Sequence, residues 1–181
     1  MDQLRAQLEH LHAESFGWAL CCSRRDRHRA EEVLQQTYVK VLSGKARFGG
    51  EGSFKTWLFA VIRVTARDEA RRHWLGQFRF ARFARAARDE VHMPPGIDEE
   101  TAAVLEALQA LPARQREALH LVFYQGLSIA LAGDVMGVSV GAARTHYDRG
   151  KAALRRKLAG KVAFQQESDH ESGRQPAVSL L

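Results

Sequence analysis

The side chains whose type and spacing could do chemistry are mostly cations on helical faces. Between Ser139 and Leu158, Gly141, Thr145, Asp148 and Ala152 recur every three or four residues along one side, flanked by Arg144, Arg149, Arg155 and Arg156. A guanidinium can grip a guanine edge with two hydrogen bonds, and a small residue beside it lets the helix approach the groove closely. A second cationic row, Arg63, Arg67, Arg71 and Arg72, lies on the outer side of a helix that also carries Phe54, Trp57 and Phe59. Cations neutralise phosphate while rings stack on bases, a combination suited to single-stranded or distorted nucleic acid. The competing reading of the rings is core, favoured for Trp57 because a large ring at helical spacing packs inward. No paired carboxylates, nucleophile with a base, phosphate loop or metal-ligand spacing accompanies these groups, so an enzyme is the least supported class. His120 and His146 lack companions that would complete a metal site and read as ordinary helix residues.

These side chains need elements to hold them. Leu111 to Leu158 reads as three helices punctuated by two glycine turns. Pro112 suits the first turn of a helix with Ala118, Leu119, Val122 and Phe123 on one buried face, and Gly126 stops it. Ser128 caps a short helix with Ile129, Ala132, Val135 and Met136 inward, ended by Gly137. Ser139 caps the third, whose inner side carries Ala143, Tyr147, Gly150, Leu154 and Leu158. This is the pattern of a helix-turn-helix, whose second helix enters the major groove.

In the first half, Leu4, Leu8, Leu11, Trp18 and Cys22 predict one amphipathic helix from Leu4 to about Cys22, with Ser23 to Arg29 as a connector. Val33, Leu34, Tyr38, Val41 and Leu42 form the stripe of a second helix, ended by Gly44. Glu31, Glu32, Gln35 and Gln36 sit outside that stripe, as either a solvated face or a docking surface for a basic partner. Three glycines and Ser53 form a loop, and Ser53 caps a helix with Trp57, Leu58, Val61, Ile62 and Thr65 inward.

From Trp74 to Arg88 the chain is basic and aromatic, with weak helical spacing of Phe80, Phe83 and Ala87. It reads as an amphipathic helix on a membrane or partner, or as the frayed end of the first domain. Met93, Pro94, Pro95 and Gly96 cannot continue a helix. Asp98, Glu99 and Glu100 then open one through Leu105, Leu108 and Leu111, where their charge suits the helix dipole. The expected fold is all-α: two small helical domains, residues 1–75 and 101–160, joined by a flexible linker at 76–100. Residues 161–181 read as a disordered tail, with a short docking peptide at Ala177 to Leu181 as the other reading.

A length of 181 residues and a hydrophobic share of 45% allow one ordinary domain or two small ones with real cores. The net charge of +6 and pI near 9.7 favour an anionic partner, nucleic acid or membrane surface. The two cysteines, Cys21 and Cys22, are adjacent, too strained a pair for a disulfide staple and too few for zinc. Arg24 and Arg25 could lower a thiolate pKa, but buried inert cysteine is the commoner case. No signal peptide or membrane-length apolar run is apparent, which points to a soluble protein of a reducing cytoplasm.

The ordered blocks AEEVLQQTYVKVL, FGGEGSFKTWL, RDEARR, LPARQREALHL, GLS and MGVSVGAARTHYDRGKAALRRKL resemble the extracytoplasmic-function (ECF) group of bacterial RNA polymerase sigma factors, over about Leu11 to Leu158. The resemblance implies a protein that does not catalyse, needs no cofactor or metal, and lends promoter specificity to core RNA polymerase. Its partners would be the clamp of the beta-prime subunit, the beta flap, promoter DNA and an anti-sigma factor. It assigns Glu31, Glu32, Gln35 and Gln36 to clamp docking. The loop from Phe48 to Ser53 would capture a flipped base of the minus-ten element, with Lys55, Arg63, Arg67 and Arg71 on phosphates. Extruding a base costs a few kcal/mol, which stacking and hydrogen bonds in the loop must return. Arg144, Thr145, Asp148, Arg149 and Lys151 would read the minus-thirty-five duplex. There Asp148 is repelled by phosphate unless it accepts from a cytosine amino group or pairs with Arg144 or Arg149. In the same frame Trp74 to Arg88 would be an extended linker beside the polymerase RNA channel.

Three positions depart from the family pattern. Leu131 stands three residues after Ser128, where an acidic residue would complete a capping box, and would be left exposed to meet a partner or the preceding helix. Gly133 replaces the usual alanine, at a cost of about 1 kcal/mol of helix propensity. Val64 replaces an asparagine that contacts bases, so minus-ten preference would be relaxed or shifted. Two other functions remain open from the sequence: a stand-alone helix-turn-helix regulator, and a degenerate sigma-like decoy for an anti-sigma factor.

Overall fold

A computed structural model describes residues 2–80 and 98–172, with side chains described at 2–75 and 98–159. Phe83, Ala87, Pro94 and Pro95 of the expected linker, and the apolar end from Ala177, lie outside the described residues.

Among the described residues the chain is all-helical. Its elements are α1 (Asp2–His10), α2 (His12–Cys22), α3 (Arg27–Leu42), α4 (Phe54–Phe80), α5 (Glu99–Gln109), α6 (Ala113–Leu119) running into a π-turn (His120–Tyr124), α7 (Ile129–Met136) and α8 (Val140–Ser172). The single helix expected from Leu4 to Cys22 is divided at Leu11, although Leu11 N–H still reaches the Gln7 carbonyl at 3.2 Å and Ser15 N–H the Leu11 carbonyl at 2.9 Å.

The polar run from Ser23 to Arg29 is only partly a connector. Asp26 accepts from Arg29 N–H at 3.0 Å and starts α3 at Arg27, earlier than apolar periodicity shows. Ser53 starts α4 by accepting from Thr56 N–H at 3.1 Å. Asp98 starts α5 by accepting from Thr101 N–H at 2.7 Å, which holds its carboxyl below the usual carboxylate range. α8 continues to Ser172, into the stretch read from the sequence as a tail. No proline falls between Lys161 and Ser172, and most residues of this stretch accept helical geometry.

α2, α3 and α4 form one module around Trp18, Val33, Leu34, Val41, Leu58, Phe59 and Ile62. The second module packs α6 and α7 on α8 around Leu119, Leu121, Ala132, Val135, Met136 and Ala143. Gly150 allows α6 to lie on α8, because a Cβ there would stand 3.1 Å from the Gln115 carbonyl oxygen and 3.2 Å from Leu119. The modules are packed together rather than held apart: α4 lies against α7 and α2 against α6. Buried residues from Leu8 to Met136 thereby form one continuous core.

The first helix of the helix-turn-helix is better made than its composition suggests. Ser128 accepts from Leu131 N–H at 3.2 Å, so the forward half of the cap survives although Leu131 cannot supply the reciprocal bond. Gly133 is buried, and a Cβ there would stand 3.1 Å from the Val138 carbonyl oxygen. The chain turns back tightly through Gly137 in the left-handed conformation at this point. The propensity lost at Gly133 thus accompanies a close backbone approach.

Candidate nucleic-acid interface

On α8 the expected outer face is exposed. Gly141, Arg144, Thr145, Asp148, Arg149 and Ala152 all face solvent, while Ala143 and Gly150 are buried. Ser139 caps the helix by accepting from Ala142 N–H at 3.2 Å, which fixes where its first turn points. Thr145 donates its hydroxyl to the Gly141 carbonyl at 2.9 Å. Lys151 is only partly exposed, its ammonium 5.3 Å from the centre of the Tyr147 ring. The helix therefore presents the exposed guanidiniums of Arg144, Arg149, Arg155 and Arg156 and a small central strip to any duplex.

The loop before α4 gathers Phe48, Phe54 and Trp57 into a trio with ring centres 5.3–5.6 Å apart. All three are partly buried, so the rings are neither sealed core nor free stacking platforms. Ser53 is exposed, but its Oγ is committed to the Thr56 N–H and hydroxyl.

Along α4, Arg67 and Arg71 face outward in a row with Val64, which is 53% exposed. The other two expected phosphate ligands are not free. Lys55 pairs with Glu14 at 2.6 Å and lies over the Phe59 ring. Arg63 contradicts its expected exposure: it is 4% exposed, and its Nε donates to Glu117 Oε2 at 2.9 Å across the two modules. Its position explains this. Arg63 follows Phe59 by four residues and precedes Ala66 by three, which sets it within the buried stripe of α4.

Glu31, Glu32, Gln35 and Gln36 are exposed together on α3, with Glu31 paired to Arg27 at 2.9 Å and Glu32 to His28 at 3.6 Å. Val39, 54% exposed, extends this face. The i,i+4 step from Gln35 would have marked it in the sequence. A groove lined by His12, Phe16, Leu34 and Tyr38 borders Glu31 and Gln35.

Sequence reasoning missed the residues that join the modules. Arg116 Nε donates to the Cys21 carbonyl at 3.4 Å across the modules, while Arg114 braces the Glu117 side from within the second module, 3.6 Å from Glu117 and 3.0 Å from the Met136 carbonyl. Burial pushes the Cys21 thiol up to about 12 and raises Cys22 well above its ordinary value, against the smaller opposing pull of nearby arginines. Both cysteines are free, and burial outweighs the neighbouring arginines in setting their acidity.

Phe123, expected inward with Ala118 and Leu119, is 83% exposed. The π-turn holds an extra residue, so Gln125 N–H bonds the His120 carbonyl at 2.9 Å and the face turns by one position. His120 is carried inward instead, its ring 5.4 Å from Trp18 and 5.0 Å from Tyr124. Burial, and secondarily the charge of Arg25, lowers its pKa to about 4. Its folded value lies below the unfolded 6.5, so the stability it preserves is complete above about pH 6.5 and is lost as pH falls towards 4. The loss expected is up to about 3 kcal/mol. Melting temperature followed across this window should fall more steeply for the wild-type chain than for His120→Gln, and parallel curves would refute the assignment.

The geometry is that of a helical DNA-reading protein, with a helix-turn-helix in one module and an arginine-bearing helix behind an aromatic loop in the other. Residues 12–75 match the family model for Sigma-70 region 2, and residues 101–154 that for Sigma-70, region 4. The chain is 32% identical over 142 residues to the probable RNA polymerase sigma-C factor of Mycobacterium bovis, covering 76% of this chain and 74% of that protein. It is 33% identical over 130 residues to the RNA polymerase sigma factor CarQ of Myxococcus xanthus, covering 71% and 74%. It is 29% identical over 143 residues to the ECF RNA polymerase sigma factor SigX of Bacillus subtilis, covering 74% and 73%. The sigma factor RpoE from Bartonella quintana, solved with the anti-sigma factor NepR, shares the fold with a TM-score of 0.74 at 21% identity, over 88% of this chain and 98% of that one. The chain belongs to the ECF group of the sigma-70 family of RNA polymerase sigma factors. It is a transcription initiation factor that directs core RNA polymerase to promoters.

Proposed function

We propose that the two modules divide promoter reading between them. The first docks on the beta-prime clamp through Glu31, Glu32, Gln35 and Gln36. Its loop from Phe48 to Ser53 and the exposed row Arg67 and Arg71 engage the minus-ten element. The second meets the beta flap and reads the minus-thirty-five element through Arg144, Thr145, Asp148, Arg149 and Lys151. The observation that carries this reading is the exposure of Arg67 and Arg71 on α4 and of Arg144 and Arg149 on α8, apart from the acidic and amide face of α3. The protein works by recruitment, without a catalytic step of its own, and in the cytoplasm. Among the described residues no helix is long and apolar enough to cross a membrane.

Control by an anti-sigma factor is part of the same proposal, supported by the partner with which the Bartonella quintana protein was solved. Leu131, 36% exposed on α7, is a candidate contact for it.

Run-off transcription with core polymerase across a promoter library tests the assignment. Initiation at promoters sharing two spaced elements is expected. Background transcription on every promoter would instead indicate a decoy, and a specific footprint without any polymerase complex a stand-alone regulator. Within this reading, Glu32→Lys is expected to weaken core polymerase binding at least tenfold while helical content stays unchanged, because Glu32 is exposed and outside the core. Unchanged affinity in the folded variant would remove Glu32 from the docking surface.

A further inference from the structure

The outer face of α8 carries one group that its cations do not explain. Asp148 is the only acidic side chain between Val140 and Ala159, a stretch that holds Arg144, Arg149, Lys151, Arg155, Arg156 and Lys157. It is exposed, on the same line as Gly141 and Thr145, whose small side chains let the helix come close to a duplex. A carboxylate on such a face avoids repulsion by phosphate in either of two ways. It pairs with a neighbouring cation, or it meets a hydrogen-bond donor in the groove.

The first way is not taken. Arg144 stands four residues before Asp148 and Lys151 three after it, spacings at which helical ion pairs form. At these spacings Arg27 pairs with Glu31 at 2.9 Å and Arg72 with Glu69 at 3.1 Å. Among the described residues no cation pairs with Asp148, and Lys151 is turned to the Tyr147 ring, its ammonium 5.3 Å from the ring centre. Thr145 commits its hydroxyl proton to the Gly141 carbonyl at 2.9 Å and has none to offer the carboxylate.

We propose that Asp148 selects cytosine at one position of the minus-thirty-five element, accepting a hydrogen bond from its N4 amino group, and acts as a filter that lowers affinity for duplexes lacking that base. The proposal rests on the sigma-factor reading of α8 as the minus-thirty-five helix.

The edges of the major groove decide the base. A carboxylate only accepts hydrogen bonds. Guanine shows it O6 and N7 and thymine shows O4, all acceptors that repel it, so only the amino groups of cytosine and adenine remain. Adenine sets its N7 acceptor beside that amino group, where it opposes the second carboxylate oxygen, whereas cytosine shows the amino group alone. Without a matching donor, the charge of Asp148 opposes the pull of the surrounding arginines on the phosphates. Its removal therefore raises affinity for unmatched DNA while erasing a base preference. Loss of a purely attractive contact would lower affinity instead.

Transcription by core polymerase with full-length wild type, Asp148→Ala or Asp148→Asn, across promoters randomised through the minus-thirty-five element, tests this. Wild type is expected to favour cytosine, on one strand or the other, at least about fivefold at one position. Asp148→Ala should erase that preference, leave the other positions unchanged, and raise output from promoters that lack the cytosine. Asp148→Asn should move the preference to adenine, because an amide pairs with N6 and N7 together. Base preferences in Asp148→Ala that match wild type at every position overturn the assignment. So does an equal loss of output on all promoters in a variant that keeps its helical content, which would leave Asp148 without a part in base selection. Wild-type protein that initiates at no promoter with core polymerase overturns the sigma-factor reading and this assignment together, an outcome distinct from an unchanged preference.

Discussion

Trp18→Ala is expected to lower the unfolding free energy by about 3–5 kcal/mol, the range for emptying a packed aromatic site. Trp18 is completely buried, stacks on Phe59 with ring centres 6.0 Å apart, and donates its indole N–H to the Phe59 carbonyl at 2.9 Å. Its other neighbour is His120, so it braces α4 and the π-turn from one position in α2. Alanine leaves a cavity between three elements that are each tied elsewhere and cannot all collapse into it. A domain of ordinary stability holds about 5–15 kcal/mol, so roughly a fifth or more would be lost. Trp18→Phe keeps most of the ring packing and gives up the indole hydrogen bond, and should lose about 1 kcal/mol beyond its packing change. Urea unfolding of the three proteins provides the measurement. A loss below 1 kcal/mol for alanine would mean that the two modules do not share this core.

Combined replacement of Arg144 and Arg149 by alanine is expected to abolish specific binding of a minus-thirty-five duplex at physiological salt. Both are exposed on the outer side of α8, and a bidentate contact to guanine is worth about 1–3 kcal/mol of discrimination. Two such losses amount to a decrease of roughly 30-fold to well over a thousandfold if they add. Fluorescence anisotropy of each single variant across a salt series separates the roles. An arginine on phosphate weakens all duplexes alike and reduces the log–log salt slope by about 0.9, whereas one on a base edge relaxes preference at one position. Wild-type affinity in the double variant would show that the helix docks by another face.

The helix-turn-helix was legible because its signals are local: Ser128 and Ser139 as caps, Gly137 as the turn, and an inner stripe that avoids Thr145 and Asp148. The exposure of Glu31, Glu32, Gln35 and Gln36 was legible for the same reason. Arg63 was not. Helical spacing allowed it to be placed in the buried stripe, but a charge is assigned outward unless a partner is in view, and Glu117 is 54 residues away. The start of α3 at Arg27 was hidden because Asp26 acts through a backbone hydrogen bond, which apolar periodicity does not record. Phe123 was misplaced by an assumption of uniform helical winding. The packing of the two modules on one another depends on those same distant pairs, so a reading by neighbouring residues separated what the fold joins.

The π-turn from His120 to Tyr124 acts on the second module as a phase shifter. An α-helix advances about 100° per residue, so a regular helix through this segment would offer one continuous apolar side and address one neighbour. With the extra residue inserted, the stretch before it aims Leu119 at α8, where Gly150 makes room. The turn itself brings His120 to Trp18 of α2 and Tyr124 to within 4.0 Å of the space beside Gly17. One short segment thus faces two elements at an angle that uniform winding would not give, and Phe123 is left in solvent as the residue on which the two windings disagree.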